Sequence, residues 1–171
     1  ERLVAKKGNQ KIHHFAHMNH ADCAQAYESA LHLGVKRVLE KERRLLFPAT
    51  YKMSLFGEKT IVKEQTLLEI ERLLIEKRVG QIIPDILIQI HHSWCFIEIF
   101  VTHKVDSVKL AKIEKMNIAA LEIDFSHIDR EVNDEVIRRI LLEREDLKSW
   151  LYNAKIKQIE KLDRDKTIQD I

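Results

Sequence analysis

The chain has 171 residues, of which 45% are hydrophobic and 33% charged, and its 29 Lys+Arg and 27 Asp+Glu leave a formal net charge of +2. This length indicates one domain with a sizeable core, and no apolar run approaches the roughly 20 residues of a membrane span, which excludes a transmembrane protein. Two cysteines, Cys23 and Cys95, are too few for a disulfide scaffold and favour a reducing cytoplasm. The balanced charge excludes a polybasic protein and leaves nucleic-acid binding to local patches. Because the chain begins at Glu1 rather than Met, we expect a preceding piece to be missing.

In the first half of the chain, residues 1–12 predict a short hairpin around Gly8. A helix follows from Asp22, which is a plausible N-cap, and its apolar residues recur at steps of three and four. Residues 44–55 and 60–76 read as strands, although the second stretch would also suit a helix.

The second half shows a clearer pattern. Residues 84–91 and 95–102 are β-branched apolar runs separated by a short polar stretch, which predicts a hairpin. Asp106 is a plausible N-cap for a helix, and residues 118–125 form another apolar strand, so strand, helix and strand predict a parallel crossover. Residues 128–162 have helical periodicity, marked by apolar residues such as Leu147, Trp150 and Leu151. The predicted fold is therefore α/β, a mixed β-sheet flanked by helices with a helical C-terminal tail.

Two carboxylates stand out because each lies in an apolar strand. Asp85 lies between isoleucine-rich segments, and Glu98 is the only charged residue between Cys95 and Val101. Hairpins with even-numbered loops pair residues whose numbers sum to an odd value, so a tight His91-His92 loop places Asp85 opposite Glu98. A loop shifted by one residue would place the two diagonally on the same face. Like charges this close favour a bound divalent cation, and the alternative is two solvated carboxylates at strand ends.

Other polar groups allow two readings each. Glu28, His32 and Lys36 share one line of the first helix, which is either part of a site or an ordinary solvated surface. Glu122 and Asp124 share one face of a later strand, close to the cation or solvated at the strand end. A cluster rich in histidine is sufficient for zinc by composition but lacks the paired spacing of a zinc ribbon; it consists of His13, His14, His17, His20 and Cys23.

Several short motifs, in order and spacing, resemble one known family over residues 13–126. They are His14-Phe15-Ala16-His17, the Glu28 to His32 segment with Lys36, Pro84-Asp85, Ile97-Glu98-Ile99, Val101-Thr102-His103, Lys109 and Leu121-Glu122-Ile123-Asp124. Together they resemble the CoiA-like competence nucleases of the PD-(D/E)XK phosphodiesterase superfamily. This resemblance implies a restriction-endonuclease-like core over residues 1–127. Residues 128–171 would be C-terminal helices packed on the same domain or at a dimer interface.

The resemblance implies a metal-dependent nuclease that hydrolyses phosphodiester bonds, of DNA more than RNA, with a water bound to Mg²⁺ (or Mn²⁺) as nucleophile. Asp85, Glu98 and the Ile99 carbonyl would hold the metal, and Glu28 would orient the water. The implied partners are nucleic acid and a homodimer or larger protein complex, with no membrane. Four basic residues would contact the scissile phosphate or hold the first helix against the sheet: His17, His32, Lys36 and His103.

The chain departs from the family pattern at one position. A lysine is expected two residues after Glu98, and Phe100 stands there instead. Lys109 matches the relatives' motif and would supply the missing cation, with Lys104 and Lys112 as further candidates. If none of them reaches the site, the alternative is a catalytically decayed nucleic-acid or protein-binding module within a DNA-processing or phage-defence complex.

Overall fold

The computed structural model describes residues 3–6, 14–17, 23–54, 56–128 and 132–169. The helices in these segments are α1 (Cys23–Glu42), α2 (Ser107–Met116), α3 (Asp134–Glu143) and α4 (Ala154–Gln169). The strands are β1 (Leu3–Lys6), β2 (His14–His17), β3 (Arg44–Phe47), β4 (Thr50–Met53), β5 (Lys59–Lys63), β6 (Thr66–Glu69), β7 (Arg72–Ile75), β8 (Ile86–Ile90), β9 (Ser93–Phe100), β10 (Ala119–Asp124) and β11 (Lys148–Tyr152). The α/β class is therefore confirmed.

A five-stranded mixed sheet in the order β11-β10-β9-β8-β7 forms the centre of the fold. β9 and β10 pair in parallel, while the other neighbours pair antiparallel. α2 joins the two parallel strands, as the predicted crossover requires. Outside this sheet, β1 pairs with β2, β3 with β6 and β4 with β5. Residues 60–76 are thus strands and not a helix.

The hairpin between β8 and β9 has the register of the tight-loop prediction. His91 and His92 both have positive φ, 46° and 63°, which is the pattern of a two-residue type I′ turn. Ile86 pairs with Ile97 at the other end of the hairpin. The same register extended by one residue brings Asp85 opposite Glu98, so the turn determines that these two carboxylates meet.

Helices pack on both faces of this sheet. On one face, α1 buries Leu31 and Val35 against a cluster that includes Ile97 of β9. On the other face, Ile113 of α2 packs with Phe96 of the same strand. Neighbouring residues of β9 point to opposite faces, so the strand contributes to the packing of both helical layers. Burying each large aliphatic or aromatic side chain contributes about 1.5–3 kcal/mol to stability.

α2 begins where the sequence predicts. Asp106 Oδ1 accepts a hydrogen bond of 2.7 Å from the Lys109 amide, which satisfies one of the unpaired donors of the first turn. The helix ends at Asn117, which adopts the left-handed conformation with φ of 54°. Because the cap holds the first turn, it also holds the backbone of Lys109.

The C-terminal segment differs from the prediction. Residues 128–162 were predicted to be helical, but β11 lies between α3 and α4 and pairs antiparallel with β10. Trp150, assigned from spacing to a helix face, is in β11 and stacks on Phe47 with ring centroids 5.7 Å apart. A short apolar run such as Trp150-Leu151 does not by itself distinguish a helix from a strand. Pairing with the edge of β10 makes this segment a strand.

Two predictions near the N-terminus have different outcomes. β1 pairs with β2, so a hairpin is present, but its second strand lies beyond residues 1–12. The proposed N-cap Asp22 lies outside the described residues. In the segments that the structure describes, no helix combines the length and apolar character needed to cross a membrane.

Candidate active site

Asp85 is held at the end of the hairpin, one residue before β8 begins. Its Oδ2 accepts a hydrogen bond of 2.8 Å from the Ile99 amide, and its backbone oxygen accepts one of 3.1 Å from the Glu76 amide. The first of these bonds ties the carboxylate to the residue that follows Glu98. The Pro84-Asp85 and Ile97-Glu98-Ile99 motifs are therefore joined by a direct hydrogen bond.

α1 provides the second set of contacts to Asp85. His32 Nδ1 lies 3.3 Å from Asp85 Oδ1. Burial raises the pKa of Asp85, but the hydrogen bonds from His32 and the Ile99 amide and the charges of His32 and Lys36 outweigh burial, so the pKa lies below its ordinary value. Asp85 is therefore ionised at neutral pH, as a cation ligand must be.

Glu98 is only 4% exposed and lies beside Asp85. Burial raises the pKa of its carboxyl to about 7, opposed by Lys109 and reinforced by the negative charges of Asp85 and Glu122. Its Oε2 accepts a hydrogen bond of 2.6 Å from Lys109 Nζ. Within the described part of the chain, its Oε1 is buried and has no hydrogen-bond partner. That oxygen lacks a donor or a cation, which costs free energy in a buried site.

Lys109 reaches this site from α2 on the opposite layer to His32. Besides Glu98, its ammonium lies 3.4 Å from the Ile83 carbonyl oxygen, in the loop that leads into Asp85. Lys104 instead places its ammonium over the Phe100 ring, 5.1 Å from the centroid. Of the three candidate lysines, Lys109 is the one that the structure shows bonded to Glu98.

The polar line on α1 faces a cleft of about 800 Å³. Glu28 Oε2 accepts a hydrogen bond of 2.6 Å from Thr102 Oγ1, and Lys36 Nζ lies 2.5 Å from Glu76 Oε1. Lys36 is 4% exposed, so the reading as an ordinary solvated helix surface is wrong for this lysine. The cleft is lined by Glu28, Ser29, His32, Leu33, Lys36, Glu76, Asp85, Thr102 and His103. Glu98 and Lys109 are not among these residues, and Asp85 lies between the cleft and this ion pair.

Some predicted site residues are only partly placed. Ile99 lies in the site through its amide, which bonds Asp85. For His17, in β2, the structure describes the backbone alone. His13 and His20 lie outside the described residues, so the zinc hypothesis stays a prediction. His103 lines the cleft, and its Nδ1 is 2.7 Å from Thr102 Oγ1.

Three residues contribute more than the sequence indicated. Glu122 is 6% exposed and pairs in register with Glu98, so the expectation that it is solvated at a strand end is wrong. Asp124, the last residue of β10, accepts hydrogen bonds from the amide and the hydroxyl of Ser126 in the turn that follows. Glu76 was not identified from the sequence, and Thr102 was named only within a motif and given no role, since each enters the site through a partner on α1 that is distant in sequence.

The residues present fit magnesium better than zinc. Among the described residues, no group of three or more His, Cys, Asp or Glu side chains could hold a metal ion, so no complete protein cage is found there. Mg²⁺ usually takes only one or two carboxylates and completes its shell with waters and substrate phosphates. Asp85 and the unpartnered Oε1 of Glu98 supply such a pair. Comparison with known proteins adds no relative: no family model, curated protein or solved structure matches the chain.

Proposed function

We propose that the protein is a metal-dependent nuclease that hydrolyses phosphodiester bonds of nucleic acid, DNA more than RNA, with Mg²⁺ or Mn²⁺. The observation that carries the proposal is the contact of 2.6 Å between the half-buried Lys109 and the buried Glu98, next to Asp85. Two carboxylates and a lysine from three separate segments meet at one end of a mixed sheet. A five-stranded mixed sheet with helices on both faces also supports a restriction-endonuclease-like core.

Asp85 and Glu98 would hold the cation. When bound, Mg²⁺ would lower the pKa of the attacking water and offset the charge that develops on the phosphate. Lys109 provides a fixed positive charge for the same purpose, because its ammonium is anchored between Glu98 and the Ile83 carbonyl oxygen. Fixed charges of this kind need no reorganisation during the reaction.

The cleft beside Asp85 would receive the nucleic acid. Its lining contains three carboxylates, those of Glu28, Glu76 and Asp85, against the single lysine Lys36. Such a cleft repels phosphate unless a cation is bound, so we propose that the divalent ion is needed for substrate binding as well as for cleavage. Lys36 and His32 are the residues of α1 placed to contact the scissile phosphate.

Cleavage of supercoiled plasmid, single-stranded DNA and RNA with Mg²⁺ or Mn²⁺ tests the proposal. The variants are Asp85→Asn, Glu98→Gln and Lys109→Met, and Glu114→Gln is the matched control because it removes an exposed carboxylate of α2. Each site variant is expected to lose at least about 100-fold in rate, the order seen when one electrostatic group is removed from a catalytic centre. Equal rates for the wild type and all three site variants would sink this site assignment.

A second candidate is a catalytically decayed module that binds nucleic acid or protein in a DNA-processing or defence complex. It is favoured by Phe100 at the position of the expected lysine. Isothermal titration calorimetry with a divalent ion separates the two candidates. The nuclease should bind the ion, whereas the decayed module binds its partner without one. We place either function in the cytoplasm, because the chain has only two cysteines. Sedimentation measurements would test whether it acts as a homodimer.

A further inference from the structure

Three side chains on two elements form a continuous hydrogen-bonded chain in the cleft. Thr102, which follows β9, places its Oγ1 2.6 Å from Glu28 Oε2 on α1 and 2.7 Å from His103 Nδ1. All three residues line the cleft that contains Asp85. Thr102 therefore connects a carboxylate to an imidazole at the place where a substrate would enter.

The number of hydrogens shared among Glu28, Thr102 and His103 determines the tautomer of the imidazole. A threonine hydroxyl carries one hydrogen, and an ionised carboxylate can only accept. Thr102 Oγ1 therefore donates to Glu28 and must accept from His103, so the proton of the neutral imidazole is on Nδ1. Nε2 of His103 is then left with a lone pair that can take up a proton.

His32, the other histidine of the cleft, has a different arrangement. Its Nδ1 contacts Asp85, and its Nε2 is buried and has no hydrogen-bond partner among the described residues. Water cannot reach that nitrogen in the state shown. His103 is exposed, so a water in the cleft can approach its imidazole.

We propose that His103 is the proton acceptor for the attacking water, and that Thr102 and Glu28 are positioning residues that hold its reactive tautomer. The inference rests on the proposed nuclease function. It assigns His103 a catalytic role in place of simple phosphate contact, and it assigns Glu28 an action through Thr102.

The step balances without a further reagent. The water oxygen forms a bond to phosphorus, and its proton passes to Nε2 of His103, which becomes an imidazolium. The bond between phosphorus and the leaving oxygen breaks, and that oxygen takes a proton from solvent. The positive charge on His103 is stabilised by the ionised Glu28 through the Thr102 hydroxyl, as a carboxylate stabilises a histidine base in other hydrolases.

The first test concerns the tautomer and needs no activity. Nitrogen-15 NMR of the metal-free protein, with His103 assigned by the loss of its signals in His103→Asn, should show a protonated Nδ1 and an unprotonated Nε2. Thr102→Val should abolish this preference, and Thr102→Ser should retain it. A wild-type His103 protonated on Nε2 overturns the inference, whatever the protein cleaves.

The second test concerns the reaction. His103→Ala should lower kcat by about 100-fold or more, within the range for a general base, and added imidazole should restore part of the rate. Thr102→Val should lower kcat with little change in KM, and Thr102→Ser should recover it. His127→Ala, which removes an exposed histidine, is the matched control: its kcat should equal that of the wild type, and added imidazole should not change it.

The outcomes separate this inference from the proposed function. If the wild type cleaves and His103→Ala cleaves equally fast, or loses activity that imidazole does not restore, His103 is not the proton acceptor while the nuclease assignment stands. If the wild type cleaves nothing, the nuclease assignment and the proton transfer both fail, and the NMR result still decides the tautomer.

Discussion

Replacing Glu98 by Gln should make the metal-free protein more stable at neutral and alkaline pH. The side chain of Glu98 is 5% exposed, and burial raises the pKa of its carboxyl from an ordinary 4.5 to about 7. Each pKa unit corresponds to about 1.36 kcal/mol, so ionisation of Glu98 costs the folded state about 3 kcal/mol. Gln has the same shape, carries no charge and still offers an oxygen to Lys109.

The sign of the pH dependence follows from proton binding. Between pH values of about 4.5 and 7 the folded state holds a proton that the unfolded state has lost, so stability falls as pH rises. Below this range Glu98 is protonated in both states and the difference between wild type and Glu98→Gln should vanish. Above it the variant should be more stable by up to about 3 kcal/mol, which corresponds to a Tm rise of roughly 2–4 °C per kcal/mol.

Urea unfolding followed by tryptophan fluorescence, in a chelator and at several pH values, measures this difference. Glu114→Gln, on the exposed surface of α2, is the control and should stay within about 0.5 kcal/mol of wild type. Added Mg²⁺ should raise the Tm of the wild type and leave that of Glu98→Gln nearly unchanged, because a ligand stabilises only the state that binds it. A variant no more stable than wild type at about pH 8 would refute the argument that burial dominates at Glu98.

Three further perturbations have defined outcomes. Asp85→Asn should destabilise the protein by about 1 kcal/mol or more at neutral pH, because the fold lowers the pKa of Asp85 and stabilises its ionised form; denaturation curves should show this loss disappearing as pH falls through the folded pKa. Asp106→Ala removes the cap that binds the Lys109 amide and should cost about 0.5–2 kcal/mol in urea unfolding and reduce cleavage, whereas unchanged values would contradict the role of the cap. Lys36→Met replaces a buried cation paired with the exposed Glu76, so stability should change by less than about 1 kcal/mol. Oligonucleotide binding, measured by fluorescence anisotropy, should weaken in the same variant, and unchanged affinity would exclude Lys36 from the substrate site.

Much of the site could be predicted because the relevant interactions are local. The cap of α2 at Asp106 depends on a side chain three residues from its partner. The register of the β8–β9 hairpin follows from a two-residue turn, and period-two alternation then brings Asp85 opposite Glu98. A charged residue inside an apolar strand is costly wherever the strand lies, so these two carboxylates were identifiable before the fold was known.

Other features depended on partners far along the chain. The spacing of Leu147 and Trp150 suits a helix, but pairing with β10 makes the segment from Lys148 to Tyr152 a strand. Three lysines were candidates for the missing charge, and the packing of α2 brought Lys109 to Glu98.

The α/β class, the β8–β9 hairpin with its two carboxylates and the start of α2 follow from the amino-acid sequence, because turns, caps and alternation act over a few residues. The burial of Glu122, which parallel pairing places beside Glu98, depends on the tertiary structure. The contact between Thr102 and Glu28, which lie 74 positions apart, depends on it as well. Contacts over such separations are set by how helices pack on the sheet, and that packing depends on the whole core rather than on any local pattern.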